Sequence, residues 1–387
     1  MINNIIRQIK LIPESIEGLC YFGYSVAVCA NGKRIAIGAP MQNSAKGNVY
    51  IFVNEKDNWI IEEILTNGVS TPNTFFGKSL SMNDAGDRLV VGSICSDTNK
   101  PVVYIFKRIN ESNWCLQKRA SVFYENAQDV SVSISGSGNT IATGVNSTNY
   151  KNDYIYILNY IDNKWVRSFS IRNPNVSLYQ NFGSKVKISN LGDIVLIRAS
   201  HSKYCLDVVF VYIFKNNDWV MSGVLKNIDS ETFEQFGSSL DISADNNKIL
   251  IGAELSSSKE TMHGTACKTG AVYLYTLENK TYKENFKFQP ADSYNGDRFG
   301  SSVAINDEGN LIAVGALNKN AGKGCIYVYK LENDKWINCG YLTAEDAMQR
   351  SYLGSSLAMS LNGGILVSGA IMHTVLKKMA GAAYIFN

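Results

Sequence analysis

Three histidines, eight cysteines and a set of loop carboxylates are the residues of this 387-residue chain whose side chains could do chemistry. Two stretches share a spacing: His201-Ser202-Lys203-Tyr204-Cys205 and His263-Gly264-Thr265-Ala266-Cys267. Imidazole nitrogen and thiolate sulfur are the donors Zn²⁺ prefers, so His201, Cys205, His263 and Cys267 would compose a Cys₂His₂ site if the two loops met. His-x₃-Cys is not a strong zinc signature, and solvated loop residues are the plainer reading of the pattern. A carboxylate pair for glycoside hydrolysis could be drawn from Asp292, Asp297, Glu345 and Asp346. Acidic loop residues are usually just solvated. No Gly-x-Ser-x-Gly elbow, phosphate loop, His-Glu-x-x-His or sialidase-type Asp-box occurs. The chain is therefore expected not to be an enzyme, and no organic cofactor is implied.

The cysteines (20, 29, 95, 115, 205, 267, 325 and 339) include no Cys-x-x-Cys pair. Without a secretion signal they are expected as reduced thiols, with Cys29, Cys115 and Cys325 buried in strand-like patterns. The N-terminal residues MINNIIRQIKLIPESIEG hold no apolar run of signal-peptide length. Nor does any stretch approach the ~18 uncharged apolar residues of a membrane-spanning helix. These features predict a cytoplasmic protein, or a component of an intracellular assembly or particle. Thirty-seven basic minus 34 acidic residues leave +3, which does not suggest a phosphate-neutralising surface for nucleic acid.

The elements that must position these residues come from one unit used seven times. Phe22-Gly23, Phe76-Gly77, Phe182-Gly183, Phe236-Gly237, Phe299-Gly300 and Leu353-Gly354 each open a segment close to Gly-x-Ser-(Val/Leu), and Gln128-Asp129 stands in a degenerate third copy. The landmark falls at Gly23, Gly77, Asp129, Gly183, Gly237, Gly300 and Gly354, a near-constant step except for the longer one from Gly237 to Gly300. A second landmark follows the first at one unchanging offset in every copy: Gly38, Gly92, Gly144, Arg198, Gly252, Gly315 and Gly369. Within a unit the apolar pattern alternates with period two, as strands do. In the first copy Ser25–Val28, Arg34–Ala39 and Gly47–Phe52 read as three strands, and a fourth starts at Trp59. Trp114, Trp165, Trp219, Tyr282 and Trp336 recur at that fourth-strand position. Small inner-strand residues such as Ser25, Ala27 and Ser79 suit blades that taper toward an axis.

Four antiparallel strands per unit of about 54 residues predict an all-β, seven-bladed β-propeller. The blades fall near 19–66, 75–120, 127–172, 181–226, 235–288, 298–342 and 352–387. The last unit stops after its third strand, while residues 3–12 read as an orphan fourth strand that would close the ring and remove two open edges.

The Phe22-Gly23 and Gly38-Ala39-Pro40 signatures resemble those of FG-GAP repeats, the integrin-α-type β-propellers. Copies such as FGSSVAINDEGNLIAVGAL (299–317) are similar to a short variant of that repeat. The resemblance implies the fold over essentially the whole chain. Many members of that family bind Ca²⁺ through an acidic Asp-x-Asp-x-Asp-Gly loop between the first two strands. Here the corresponding loops, among them Asn83–Asp87 and Asn306–Gly309, are short turns without the carboxylate triad, so calcium independence is expected.

A regular scaffold without a catalytic set predicts an interaction propeller that binds another macromolecule, a protein first, through its loop-bearing face. All three histidines, His201, His263 and His373, fall in the slot joining second and third strands. The fifth copy's version, Glu254 to Thr269, is extended and accounts for the longer step between Gly237 and Gly300. Insertions map to functional faces, which nominates Lys259, His263 and Lys268 as partner-binding residues. A carbohydrate-binding propeller, holding sugars on Tyr and Trp, is the alternative, and a hydrolase the third reading.

Overall fold

The computed structural model describes residues 7–387 other than 14–17, 70, 96–99, 111–112, 122–126, 148–153, 202–205, 228–233, 259–266 and 376–377. Among these residues the strands form seven sheets of the repeating four-strand plan, each antiparallel and meandering outward. Blade one runs Val26–Val28, Arg34–Ala39, Asn48–Glu55 and Asn58–Leu65. Blade four carries one further short strand, Tyr179–Gln180, beside its second strand. Helix is confined to single turns at Gln42–Ala45 and Lys319–Gly322, both with left-handed residues inside.

Closure is as the orphan strand implied. Gln8–Leu11 forms the outer strand of blade seven, Gln8 opposite Phe386 and Leu11 opposite Ala383. The N-terminal part of the expected strand, residues 3–6, lies outside the described residues.

Hydrophobic contact is organised between blades rather than within them. Phe22 is fully buried, edge-on to Tyr50 and Phe52 of its own blade and clustered with Ala383 and Ile385 of blade seven. Phe76 and Phe299 repeat this arrangement at their junctions. Burying each phenyl ring stabilises the ring of blades by about 2–3 kcal/mol. The outer-strand tryptophans turn inward as well. Trp114, Trp165 and Trp219 are buried, and Trp114 Nε1 donates to Glu62 Oε2 of the preceding blade at 3.1 Å. Burial alone would raise the Glu62 carboxyl, but Arg34, Trp114 and Arg108 outweigh it and hold it below its ordinary value. Cys29 and Cys325 are buried as expected, but Cys115 is exposed. Next to inward-facing Trp114, strand alternation sends Cys115 to the opposite, solvated face.

The small inner-strand residues do more than fit a taper. Ser25 Oγ donates to Gly77 O (2.6 Å), Ser239 to Gly300 O (2.8 Å), Ser302 to Gly354 O (2.6 Å) and Ser356 to Gly23 O (2.8 Å). Each bond crosses to the next blade. At junctions two–three and three–four the hydroxyls of Ser79 and Ser131 accept instead, from Val132 N and Val186 N. The second-strand glycine belongs to the same device: a Cβ on Gly38, Gly252, Gly315 or Gly369 would overlap the next blade's Phe-Gly or Leu-Gly carbonyl.

Around the axis, the ends of the blades differ. At the lower end, where first and second strands turn, backbone bonds link successive blades: Ala30 N to Asp84 O, Asp84 N to Gly136 O, Gly136 N to Asn190 O, Asp307 N to Leu361 O and Leu361 N to Ala30 O, all 2.8–3.1 Å. Among the described residues, the two links that would pass through Ala244 of blade five are not made. Asp84 and Asn190 side chains fill the space in front of Gly136. Burial pushes the Asp84 carboxyl up, Asn190 opposes this, and Asp307 adds to it. The upper end stays open as a well.

Candidate interaction site on the upper face

The upper face carries the second-to-third-strand connections and the loops between blades. A recess of ≈ 510 Å³ lies between blades six and seven and is lined by Tyr294, Asn295, Asn318, Asn320, Arg350 and Tyr352, among others. Lys319, between the lining residues Asn318 and Asn320, is buried beside it. The side chain is 5% exposed, and its Nζ lies 3.2 Å from Asp292 Oδ2 and 3.4 Å from Asp297 Oδ2. It also donates to Asp292 O, while Tyr327 donates to Asp292 Oδ1 at 2.7 Å. Burial would lower the Lys319 ammonium, but Asp297 and Asp292 outweigh it and hold the group above its ordinary value, so it stays charged. Beside it, burial pushes the Cys325 thiol up to about 12.

Two backbone features set the walls. Asn320 and Ala321 adopt left-handed φ values of 55° and 59°, and Arg350 and Tyr352 do the same across the recess. The second loop is laid onto the first by Arg350 N to Ala321 O and Tyr352 N to Gly322 O. Tyr294 stands above Lys319, its ring centroid 5.8 Å from Nζ, and remains 75% exposed. Arg350 is exposed and makes no ion pair among the described residues. The outcome is a polar recess with one presented aromatic ring and one guanidinium that has no ion pair among the described residues. Neither Tyr294 nor Arg350 was flagged by sequence reasoning. Their one sequence signal is that the repeat changes in these loops: Asp292 recurs one unit later as Asp346, whereas Tyr294 becomes Met348 and Asp297 becomes Ser351.

The residues nominated from sequence divide. Lys268 is exposed and lies against the recess: its N–H donates to Asn295 Oδ1 (3.0 Å) and its carbonyl accepts from Gly296 N (2.8 Å). Lys259, His263 and Cys205 lie outside the described residues. Cys267 is placed only by its backbone, which pairs with Ser258 in a two-residue strand. His201 is not in a loop; its backbone ends the second strand of blade four and pairs with Tyr179. Among the described residues no three His, Cys, Asp or Glu side chains converge on a metal-sized site.

His373 corrects the picture of solvated loop histidines, being 1% exposed. Its Nδ1 lies 3.1 Å from Ser351 Oγ, and its Nε2 lies 2.8 Å from Lys10 Nζ and 3.4 Å from Asp346 Oδ2. Tyr384 donates to Asp346 Oδ1 at 2.6 Å. The set has the residue types of a hydrolase triad but not the access, since Ser351 is 1% exposed and its Oγ accepts Met348 N. It is the joint that fastens the N-terminal strand into blade seven. Asp292 and Asp297 are similarly engaged by Lys319, so three of the four carboxylates considered for hydrolysis are braces.

Fold and junctions define a seven-bladed β-propeller, and part of it is similar to the FG-GAP repeat. The FG-GAP repeat family model matches residues 282–329. A stretch of 129 residues is 30% identical to human Integrin alpha-11, covering 31% of this chain and 11% of that protein. Among solved structures, the RRP9 WD40 repeats align at a TM-score of 0.61 with 10% identity over 99% of this chain and 100% of that one. The Swd1 β-propeller domain of Myceliophteria thermophila aligns at 0.62 with 12% identity over 98% and 99%. A chain of Kuenenia stuttgartiensis hydrazine synthase aligns at 0.61 with 12% identity over 92% and 94%. At such identities the likeness is one of fold. A propeller carrying an FG-GAP repeat is, in general terms, a scaffold for protein interaction. No helix among the described residues is long and apolar enough to cross a membrane.

Proposed function

We propose that this propeller is a non-enzymatic scaffold that binds a protein partner through the upper face of blades five to seven. The observation that carries the reading is that exposed Tyr294 and Arg350, which makes no ion pair among the described residues, line one recess, with Tyr294 over the braced Lys319. Tyr and Arg are among the residues that most often dominate binding energy, and here both sit on loops held to their neighbours by backbone hydrogen bonds. The same recess, with two tyrosines and three asparagines, also suits a sugar ring. The buried tryptophans of blades two to four are not available to such a ligand.

The test is affinity capture from the native source with the wild type and a Tyr294→Ala/Arg350→Ala double variant. A stoichiometric partner retained by the wild type and weakened at least tenfold in the variant is the expected result. An unchanged partner would move the site elsewhere. Glycan-array binding by the wild type, lost in the variant, would favour the carbohydrate reading instead.

A further inference from the structure

We propose that the upper mouth of the axial well binds a small hydroxyl-bearing oxyanion, a phosphate monoester or a carboxylate, at Lys185. This inference is independent of the recess between blades six and seven.

The internal repeat supplies six controls. At the third position of Gly-x-Ser, blades one, two, three, five, six and seven carry Ser25, Ser79, Ser131, Ser239, Ser302 and Ser356, and blade four carries Lys185. Blade four also replaces the second-strand glycine, with Arg198. Both replacements fall on the junction between blades four and five, and both introduce a cation. A junction device that works elsewhere with a hydroxyl and a glycine has been changed at two positions at once, toward the same charge.

Lys185 is exposed and lines the well, a cavity of ≈ 390 Å³ at its upper end. The other cations around it are engaged. Lys78 pairs with Asp129 at 3.5 Å, Lys187 with Asp241 at 2.7 Å and Arg198 with Asp207 at 3.2 Å. Arg298 lies 3.9 Å from Glu254. Lys185 makes no ion pair within 4 Å among the described residues; its charge acts on the Glu254 carboxylate together with those of Arg298 and Arg198, so three cations share that one acid. Arg198 Nε is buried without a hydrogen-bond partner. Counting Lys185, Arg198 and Arg298 against Asp207 and Glu254 leaves the seam one positive charge in excess.

The rest of the well indicates what the anion is attached to. Ser239, Ser302 and Ser356 spend their protons on backbone carbonyls, so their free lone pairs accept from donors of a ligand. Beneath them Val26, Leu80, Val186, Leu240, Val303 and Leu357 form an aliphatic collar. A polyol with one oxyanion meets all three: charge to Lys185, hydroxyls to the serines, and the C–H face of the body to the collar.

The experiment is calorimetric titration and thermal melting of the full chain with glucose 6-phosphate, gluconate and glucose. The expected result is saturable binding of at least one anionic probe, with a melting temperature that rises with its concentration, and no response to glucose. A response to glucose 6-phosphate alone assigns a phosphate ester; a response to gluconate alone assigns a carboxylate. In Lys185→Ser the affinity should fall at least tenfold. That variant restores the residue six other blades carry, so its ligand-free melting temperature should equal or exceed the wild type's and report correct folding. Equal binding of glucose, unchanged affinity in Lys185→Ser, or no saturable binding of either anion at millimolar concentration would overturn the proposal.

Discussion

Between blades six and seven, Ser302 donates to Gly354 O, and Gly315 leaves the room that this carbonyl needs. Between blades four and five, Lys185 and Arg198 stand at both positions, and the methylenes of Arg198 pack where a Cβ on Gly237 would reach. The second junction is held by other means. Lys187 pairs with Asp241, whose other oxygen accepts Ile305 N of blade six, and Asn246 of blade five donates to Asp193 of blade four at 2.9 Å. The lower belt of backbone bonds is also interrupted at blade five. The contrast shows that the repeat signature is a device for joining blades. A junction can abandon it once ion pairs and side-chain amides take over, and the exchanged positions are then free for another use.

The largest expected effect comes from filling the regular junction. Gly315→Ala puts a methyl group into the Gly354 carbonyl, a backbone atom that cannot step aside, and should cost about 3 kcal/mol. Chemical denaturation of the variant checks this; a loss below about 1 kcal/mol would show that the junction gives way and would weaken the contrast.

Removing only the hydrogen bond is the next test. Ser302→Ala removes the shorter of the two hydroxyl donors to the Gly354 carbonyl and leaves Ser301 Oγ at 3.2 Å, with an expected loss of about 1 kcal/mol. Lys185→Ser, by contrast, should lose nothing and gain up to about 1 kcal/mol if the new hydroxyl finds its carbonyl. Equal losses in both variants, read by the same denaturation, would mean that the lysine is as structural as the serines.

The smallest effect concerns the third kind of joint, where the N-terminal strand enters blade seven. Burial, then Lys10, lowers the His373 pKa from its ordinary 6.5, while Asp346 opposes the shift. Because Lys10 donates to Nε2, the folded joint holds the imidazole neutral, whereas the unfolded chain protonates it near 6.5. Its contribution is therefore complete above about pH 6.5 and is lost as pH falls through that value toward the lower folded one. Lys10, Asp346, Ser351 and Tyr384 are the groups that face it. The wild type should lose more melting temperature between about pH 7.5 and pH 5.5 than a His373→Gln variant, in which nothing titrates at that position. Parallel losses would remove His373 from the joint's pH response.

Some of this was legible before any coordinates. Seven pairs of landmarks at one constant offset, period-two strands and an unpaired segment before the first Phe-Gly determined the blade number, the strand order and the N-terminal closure. These are properties of periodicity, and each is local to one unit or to the comparison of units. The exchange of Ser for Lys185 and Gly for Arg198 was visible too, but its meaning was not. Lys185 precedes the first strand of blade four and Arg198 lies in its second, and they become one feature only where blade four meets blade five.

The tertiary structure decided everything that depends on two blades meeting. It turned inner-strand serines from small fillers into hydrogen-bonding junction residues and placed Cys115 in solvent. It buried His373 against Lys10 from the far end of the chain, and it set Tyr294 over Lys319. The physical reason is the same in each case. Alternation along a strand says which side chains share a face, but burial and hydrogen-bond partners are set by the neighbouring sheet. That neighbour is one repeat away in sequence at most junctions and at the opposite end of the chain at the last.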